Sequence, residues 1–417
     1  MKGVLRMKYI IAGVISLTAF LLSGCSIFET NTALLSPPSL PVQKAELKES
    51  LTKFIPSDAV QLTPVDSKKT NNIFLSDLDN DGTNEAVIFY KVIDNYSPVH
   101  GVILKKQNGW NKIGEIVGSG STLGKVEFAD LTGDGKKEVI IGYGYNEQSD
   151  DRGLNVYELF NGPKPAKLLE SAYNKFVVND LNEDGQMDLA IVQLRRNELN
   201  KVQLYENKNG KLVKIDELSL DPFINGYENA VAGRISDNRK GILLDASIGA
   251  HSAVTFVVAM EKNHLINVFP TSSNPTFKPF SVYSQDKNKD GILEIGLLKE
   301  PILDSSKSLS ELPYITEYVQ LDETNNLVTK SKWFINNDFL YDFRLPDEWP
   351  EIKIEQSKDK KYTKFIQPQT GKILFDVYVT KSGKEQLSKW KVLAKQPPYI
   401  YLSKTANKTT IQQFHVR

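Results

Sequence analysis

Asp77-Leu78-Asp79-Asn80-Asp81-Gly82-Thr83-Asn84-Glu85 reads as a tight acidic turn. Oxygen-bearing side chains at positions 1, 3 and 5 point to one side when glycine at position 6 permits a sharp bend, and the carbonyl of position 7 can add another oxygen. The pattern returns as Asp130-Leu131-Thr132-Gly133-Asp134-Gly135-Lys136-Lys137-Glu138, as Asp180-Leu181-Asn182-Glu183-Asp184-Gly185-Gln186-Met187-Asp188, and as Asp286-Lys287-Asn288-Lys289-Asp290-Gly291-Ile292-Leu293-Glu294. The first acids stand 53, 50 and 106 positions apart. The last gap is twice the first, so a degenerate copy is expected near residue 233. Residues 229–249 keep the apolar outline there (Val231, Ile235, Ile242 to Leu244) and lack the acids. Five units of about 50 residues therefore span 70–335, a repeat architecture.

The flanks of each turn are β in character. Ile73/Leu75, Val126/Phe128 and Phe176/Val178 alternate with other residues before the turn, the period of a strand with one buried face. Apolar runs follow it at residues 86–90, 139–143, 189–194 and 295–298. Two further β-rich stretches complete a unit, such as 101–106 and 112–117, and Asn108-Gly109 and Asn209-Gly210 are hairpin signals between such stretches. Four antiparallel strands repeated at this period predict a mainly β chain. Its expected architecture is a β-propeller of about five recognisable four-stranded blades, with up to seven possible.

The turns carry the chemistry. An acid stands at position 9 in every copy: Glu85, Glu138, Asp188 and Glu294. Three or four crowded carboxylates cost several kcal/mol in repulsion and desolvation unless a cation sits among them. A hard divalent ion removes that cost, and calcium tolerates an irregular oxygen cage better than magnesium. The expected ligands are Asp77, Asp79, Asp81 and Glu85; Asp130, Thr132, Asp134 and Glu138; Asp180, Asn182, Asp184 and Asp188; and Asp286, Asn288, Asp290 and Glu294. Thr83, Lys136, Gln186 and Ile292 would contribute backbone carbonyls, for up to four structural calcium ions. An EF-hand would need a bidentate Glu at position 12, where Ile88, Ile141, Ile191 and Leu297 stand instead. Solvated Asp/Asn-Gly turns are the plainer alternative, and the recurrence of position 9 argues against it.

In these residues the chain resembles the FG-GAP/VCBS repeats of integrin α-subunit propellers and of many bacterial surface proteins. The resemblance covers about 265 of the 417 residues. It implies that calcium is structural, pinning the hairpin between the first two strands of a blade. It is nearly silent on ligand, and it places no metal in the fourth unit.

The chain begins with a basic segment (Lys2, Arg6, Lys8) and an apolar run over residues 9–22, closing on Leu22-Ser23-Gly24-Cys25. The run reads as an export signal and not a membrane span. It resembles the lipobox of bacterial lipoproteins, which implies a diacylglyceryl thioether on Cys25, anchorage at the extracytoplasmic face of the cell membrane, and removal of residues 1–24. Cys25 is the sole cysteine, so no internal disulfide and no Cys-rich zinc site exists. Residues 25–42 read as the lipidated cysteine and a tether, rich in Ser, Thr, Asn and Pro. Residues 43–69 read as a short amphipathic helix (Leu47, Leu51, Phe54) and a lead-in strand. With 51 Lys+Arg against 51 Asp+Glu, the chain has no excess charge for nucleic acid.

Residues 336–417 change character. Strands are expected over 361–366, 372–380 and 399–402, with a short helix over 382–391 burying Leu387 and Trp390. The reading is a small α+β module or, alternatively, divergent blades.

Enzyme signals are weak. Gly118, Gly120 and Gly124 lack dinucleotide spacing and a following helix, so they read as an inter-blade loop. His251 beside Ser252 has no nucleophile-elbow context. Paired acids could suggest a glycosidase, but metal ligation accounts for them. Tyr143, Tyr145 and Trp110, if exposed, could line a carbohydrate or peptide surface; scattered aromatics more often pack between blades. The expected function is a binding or scaffolding module, not an enzyme, for an envelope protein or a cell-wall glycan. The alternatives are an envelope hydrolase with its site on one propeller face or in the C-terminal module, and a lipoprotein with no ligand.

Overall fold

The first three acidic turns are each entered by one strand and left by another in an antiparallel pair, and the last is closed by a single antiparallel bridge between Gln285 and Glu294. In the second copy, for example, Thr122–Ala129 enters and Glu138–Gly144 leaves. Arg152–Glu158 and Ala166–Ala172 complete a four-stranded meander in sequence order. This computed structural model describes residues 42–66, 72–92, 97–145, 152–299, 312–381 and 389–417. It divides into two units, Met1–Ser57 and Asp58–Arg417. The described part of the first is the helix Val42–Ser50, continued by one 3-10 turn, Leu51–Lys53, with Leu47 and Leu51 buried. The signal segment, Cys25 and the tether lie outside the described residues, among which no helix is long and apolar enough to cross a membrane.

The second unit is a β-propeller whose described residues form six antiparallel sheets. In the first sheet both Ala59–Gln61 and Ile73–Ser76 pair with Glu85–Val92, and His100–Lys106 and Trp110–Val117 follow. The third sheet runs from Lys175–Asn179 to Lys211–Ser219, and the fourth from Gly226–Ser236 to His264–Asn267. The fourth is the degenerate copy: its first two strands join through the two-residue turn Asp237-Asn238, with no room for an acidic loop. Asn108 and Gly109 take positive φ (51° and 115°), as do Asn209 and Gly210 (56° and 77°), in the expected hairpins.

Apolar clusters join each sheet to the next, and the pleat explains how. Val139, Ile141 and Tyr143 face the first sheet, while Ile140 between them faces the third. Ile242, Leu244 and Ala246 face back to the third sheet, and Leu243 faces forward to the fifth. A strand buried on both faces has no polar side, so its sequence is a continuous apolar run. Burying each such side chain fully contributes about 1.5–3 kcal/mol.

The fifth sheet comprises Ile295–Lys299, Ile315–Leu321, Leu327–Asn336 and Tyr341–Arg344, with the C-terminal strand Phe414–Val416 added at its edge. The C-terminal residues expected to form an α+β module or divergent blades contain a sixth five-stranded sheet. Its spatial order is Lys353–Gln356, Tyr362–Gln367, Lys372–Thr380, Tyr399–Ser403, Lys391–Gln396. Phe343, Phe365 and Phe375 pack it onto the fifth. One helical turn, Lys408–Gln412, follows, capped reciprocally by Asn407 and Thr410. Residues 382–388 of the expected helix lie outside the described residues. Trp390 beyond them lies on Tyr378, its ring centroid 5.2 Å away.

Candidate functional site

The four acidic turns share one backbone. The acid at position 1 accepts from N–H groups at positions 4 to 6 over 2.7–3.2 Å. The acid at position 5 accepts the N–H of position 7 over 2.8–2.9 Å. The acid at position 9 is buried and accepts the N–H of position 2 over 2.6–2.9 Å. Glycine at position 6 has φ of 85–88° in every copy, as the sharp bend requires. Position 4 is also left-handed, which the spacing did not reveal: Asn80, Glu183 and Lys289 take φ of 60–64°, and only the second copy places a glycine there, Gly133.

Position 9 is the electrostatic centre. Burial pushes Glu138, Asp188 and Glu294 up to about 7, and the acids at positions 1 and 5 add to the rise. Burial raises Glu85 as well. Ligand oxygens of Asp77, Asp79 and Glu85 lie within 4.8 Å of one another, and so do those of Asp286, Asp290 and Glu294. In the other two turns position 3 is Thr132, whose hydroxyl donates to Glu138 Oε1 (3.3 Å), or Asn182, whose amide donates to Asp184 Oδ2 (3.2 Å). Asp79 Oδ1 and Glu85 Oε1 are buried and receive no hydrogen bond. Three carboxylates whose hard oxygens converge this closely, as at Asp286, Asp290 and Glu294, are a donor set that fits a divalent cation.

A further residue faces each turn, and sequence spacing missed it. The register pairs Ala86 with Leu104, Val139 with Tyr157, Leu189 with Tyr205 and Ile295 with Val319. One step further on, the strand that follows the one leaving the turn therefore sets Lys105, Glu158, Glu206 and Gln320 against the position-9 acid. Gln320 donates its amide to Asp290 (2.9 Å to Oδ2) and to Glu294 Oε1 (3.3 Å). Glu206 accepts from Asn182 Nδ2 at 2.9 Å. Asn161 donates to both Glu158 and Asp134. Lys105 forms ion pairs with Asp79, Asp81 and Glu85.

A cleft of about 890 Å³ opens at the fifth sheet, lined among others by Phe280, Tyr283, Tyr314, Asn336, Asp338 and Lys360. Asp342 in its wall is held by Lys287 (3.3 Å) and by Arg417 (3.0 Å). His251 packs edge-on against Phe280, with ring centroids 5.3 Å apart, while Ser252 begins the strand Ser252–Glu261. Of the aromatics considered as surface residues, Tyr143 and Trp110 are buried, and only Tyr145 is exposed, at 45%. The glycine run makes that burial possible. A Cβ on Gly118 would meet the Tyr143 ring at 2.4 Å, and one on Gly124 would meet the Tyr173 hydroxyl at 2.5 Å.

No protein-family model matches the chain, and no curated protein does either. The resemblance to FG-GAP/VCBS repeats therefore rests on the turns and their strands. Solved structures similar to it include a protein from Lactobacillus plantarum, 10% identical, with a TM-score of 0.31, covering 71% of this chain and 89% of that one. A candidate 6-phosphogluconolactonase from Bacteroides fragilis is also 10% identical, with a TM-score of 0.31 and coverage of 76% and 92%. A mannose phosphorylase from Leishmania mexicana is 9% identical, with a TM-score of 0.22 and coverage of 80% and 88%.

Proposed function

We propose that the chain is a calcium-stabilised propeller anchored through diacylglyceryl-Cys25 at the extracytoplasmic face of a membrane, where it binds a cell-wall glycan. The observation that carries the calcium reading is the buried acid at position 9, recurring in four turns of one geometry with one backbone N–H as its shared donor. Positions 1, 3, 5 and 9 would hold the ion with the carbonyl of position 7. The ion supplies positive charge that lets the position-9 acid stay ionised while buried. The role is structural: the turns join successive strands of a blade.

The glycan reading draws on the cleft at the fifth sheet. Aromatic faces (Phe280, Tyr283, Tyr314) stand beside amide, carboxylate and ammonium groups (Asn336, Asp338, Lys360), the mixture that recognises a sugar's apolar faces and hydroxyls together. Titrating soluble cell-wall glycan fragments into the calcium-loaded protein tests it. Binding that weakens at least tenfold in Tyr283→Ala and in Asp338→Ala supports the glycan. Saturable binding of an envelope protein on the same variants' residues, with no glycan signal, favours a protein partner instead. Turnover of a glycan that is lost in His251→Ala would favour the hydrolase.

A further inference from the structure

The place facing position 9 on the neighbouring strand divides the four acidic turns into two kinds. In the second and third turns it holds an acid, Glu158 or Glu206, which adds negative charge to the cluster. In the fifth sheet it holds Gln320, whose carboxamide can present its oxygen to a cation by turning over. In the first it holds Lys105, and that ammonium sits inside the oxygen cluster. Its Nζ pairs with Asp79 Oδ2, with Asp81 Oδ2 at 2.7 Å and with Glu85 Oε1 at 3.5 Å, so it meets positions 3, 5 and 9 at once. The lysine side chain is only 12% exposed. Other lysines near these turns do something different. Lys240 reaches the Asp180 carbonyl at 2.6 Å and stays 3.7 Å from its carboxylate, at the rim of the third turn. Lys208 pairs with Glu206 alone and is half exposed.

We propose that the turn at residues 77–85 carries its cation in its own sequence: Lys105 takes the place that calcium holds in the other acidic turns. The inference rests on the calcium reading above. An ammonium and a divalent ion cannot share three oxygens, because their mutual repulsion acts at contact distance. Calcium could enter only if Lys105 swung out into water and gave up all three partners. The first sheet is then fixed whether or not calcium is present, whereas the second, third and fifth depend on it.

Counting calcium ions per chain by native mass spectrometry tests this on the purified protein and three variants. Asp180→Asn is expected to lose one ion, Asp81→Asn none, and Lys105→Met to gain one. Loss of an ion in Asp81→Asn overturns the proposal while leaving the calcium reading intact. No bound calcium in any form overturns that reading and this proposal with it. Should Lys105→Met fail to fold, the contrast between Asp81→Asn and Asp180→Asn still decides.

Discussion

The joint between the fourth and fifth sheets and the turn at residues 180–188 both bury a carboxylate, and they treat it in opposite ways. At the joint, Asp245 is fully buried and accepts from Asn229 Nδ2, Thr255 Oγ1, Ser284 N and Ser284 Oγ over 2.6–2.9 Å. Beside it, at 3.4 Å, Lys278 is also fully buried and donates to Thr255 Oγ1, the Val282 carbonyl and the Gly296 carbonyl over 2.7–3.0 Å. At the turn, Asp188 has the Leu181 N–H, with Asp180, Asp184 and Glu206 as charged neighbours that raise it further. The fourth sheet, which has no acidic turn, thus shares a joint whose charge is balanced by the chain itself. A buried acid is tolerable when its counter-charge and donors are built in. At the turn the nearest lysines, Lys240 and Lys208, stay at the rim, and the proposed ion would supply the counter-charge.

The largest expected effect breaks the first half of that contrast. Lys278→Met leaves Asp245 buried without its cation and should destabilise the protein by about 3–5 kcal/mol in urea unfolding, with or without calcium. Lys278→Met combined with Asp245→Leu should recover part of that loss, since an apolar pair needs no compensation. Chelation breaks the second half. A ligand at 100 times its Kd stabilises the folded state by about 2.7 kcal/mol per site, so removing calcium should lower the melting temperature. Asp180→Asn should reproduce part of that drop, and Lys278→Met should leave its size unchanged.

A pH series sharpens the comparison further. Glu138, Asp188 and Glu294 are held up to about 7 in the folded chain, above their ordinary values of 3.8–4.5. Between those limits the unfolded chain has released protons that the folded one keeps, so the metal-free protein should lose stability as pH rises from about 4 to 7. Calcium stabilises the ionised form, so the gap in melting temperature between loaded and chelated protein should widen over the same range. A gap that stays constant from pH 5 to 8 would separate these acids from the ion. The smallest effect concerns position 4. Glu183→Gly and Lys289→Gly relieve left-handed residues and should raise stability by up to about 1 kcal/mol each, read as a shift in the urea midpoint.

Much of this was written in consecutive residues and could be read from them. The acids at positions 1, 3, 5 and 9 lie within one turn, so their convergence is local, and the apolar runs after each turn announced the doubly buried strands. Lys105 was out of reach because it meets Glu85 through the pairing of two strands, and the intervening loop varies in length: the facing residue follows position 9 by 18 to 26 positions. The sixth sheet has no acidic turn to announce it. Its last two strands also exchange places, Tyr399–Ser403 lying between Lys372–Thr380 and Lys391–Gln396, so chain order gives no guide to its neighbours. Tyr143 could be taken for a surface residue because its burial depends on space left by Gly118 and Gly120 in the preceding loop. The cleft draws on residues from Glu228 to Arg417, a set that only the folded chain brings together.

The central claim, that the acidic turns at residues 130–138, 180–188 and 286–294 are completed by a divalent cation, is tested most directly by calorimetric titration of calcium into the chelated protein at pH 7.5. The expected result is saturable heat of binding together with a higher melting temperature in the loaded form. A folded protein that takes up calcium with no heat, and melts at the same temperature with and without it, would contradict the account.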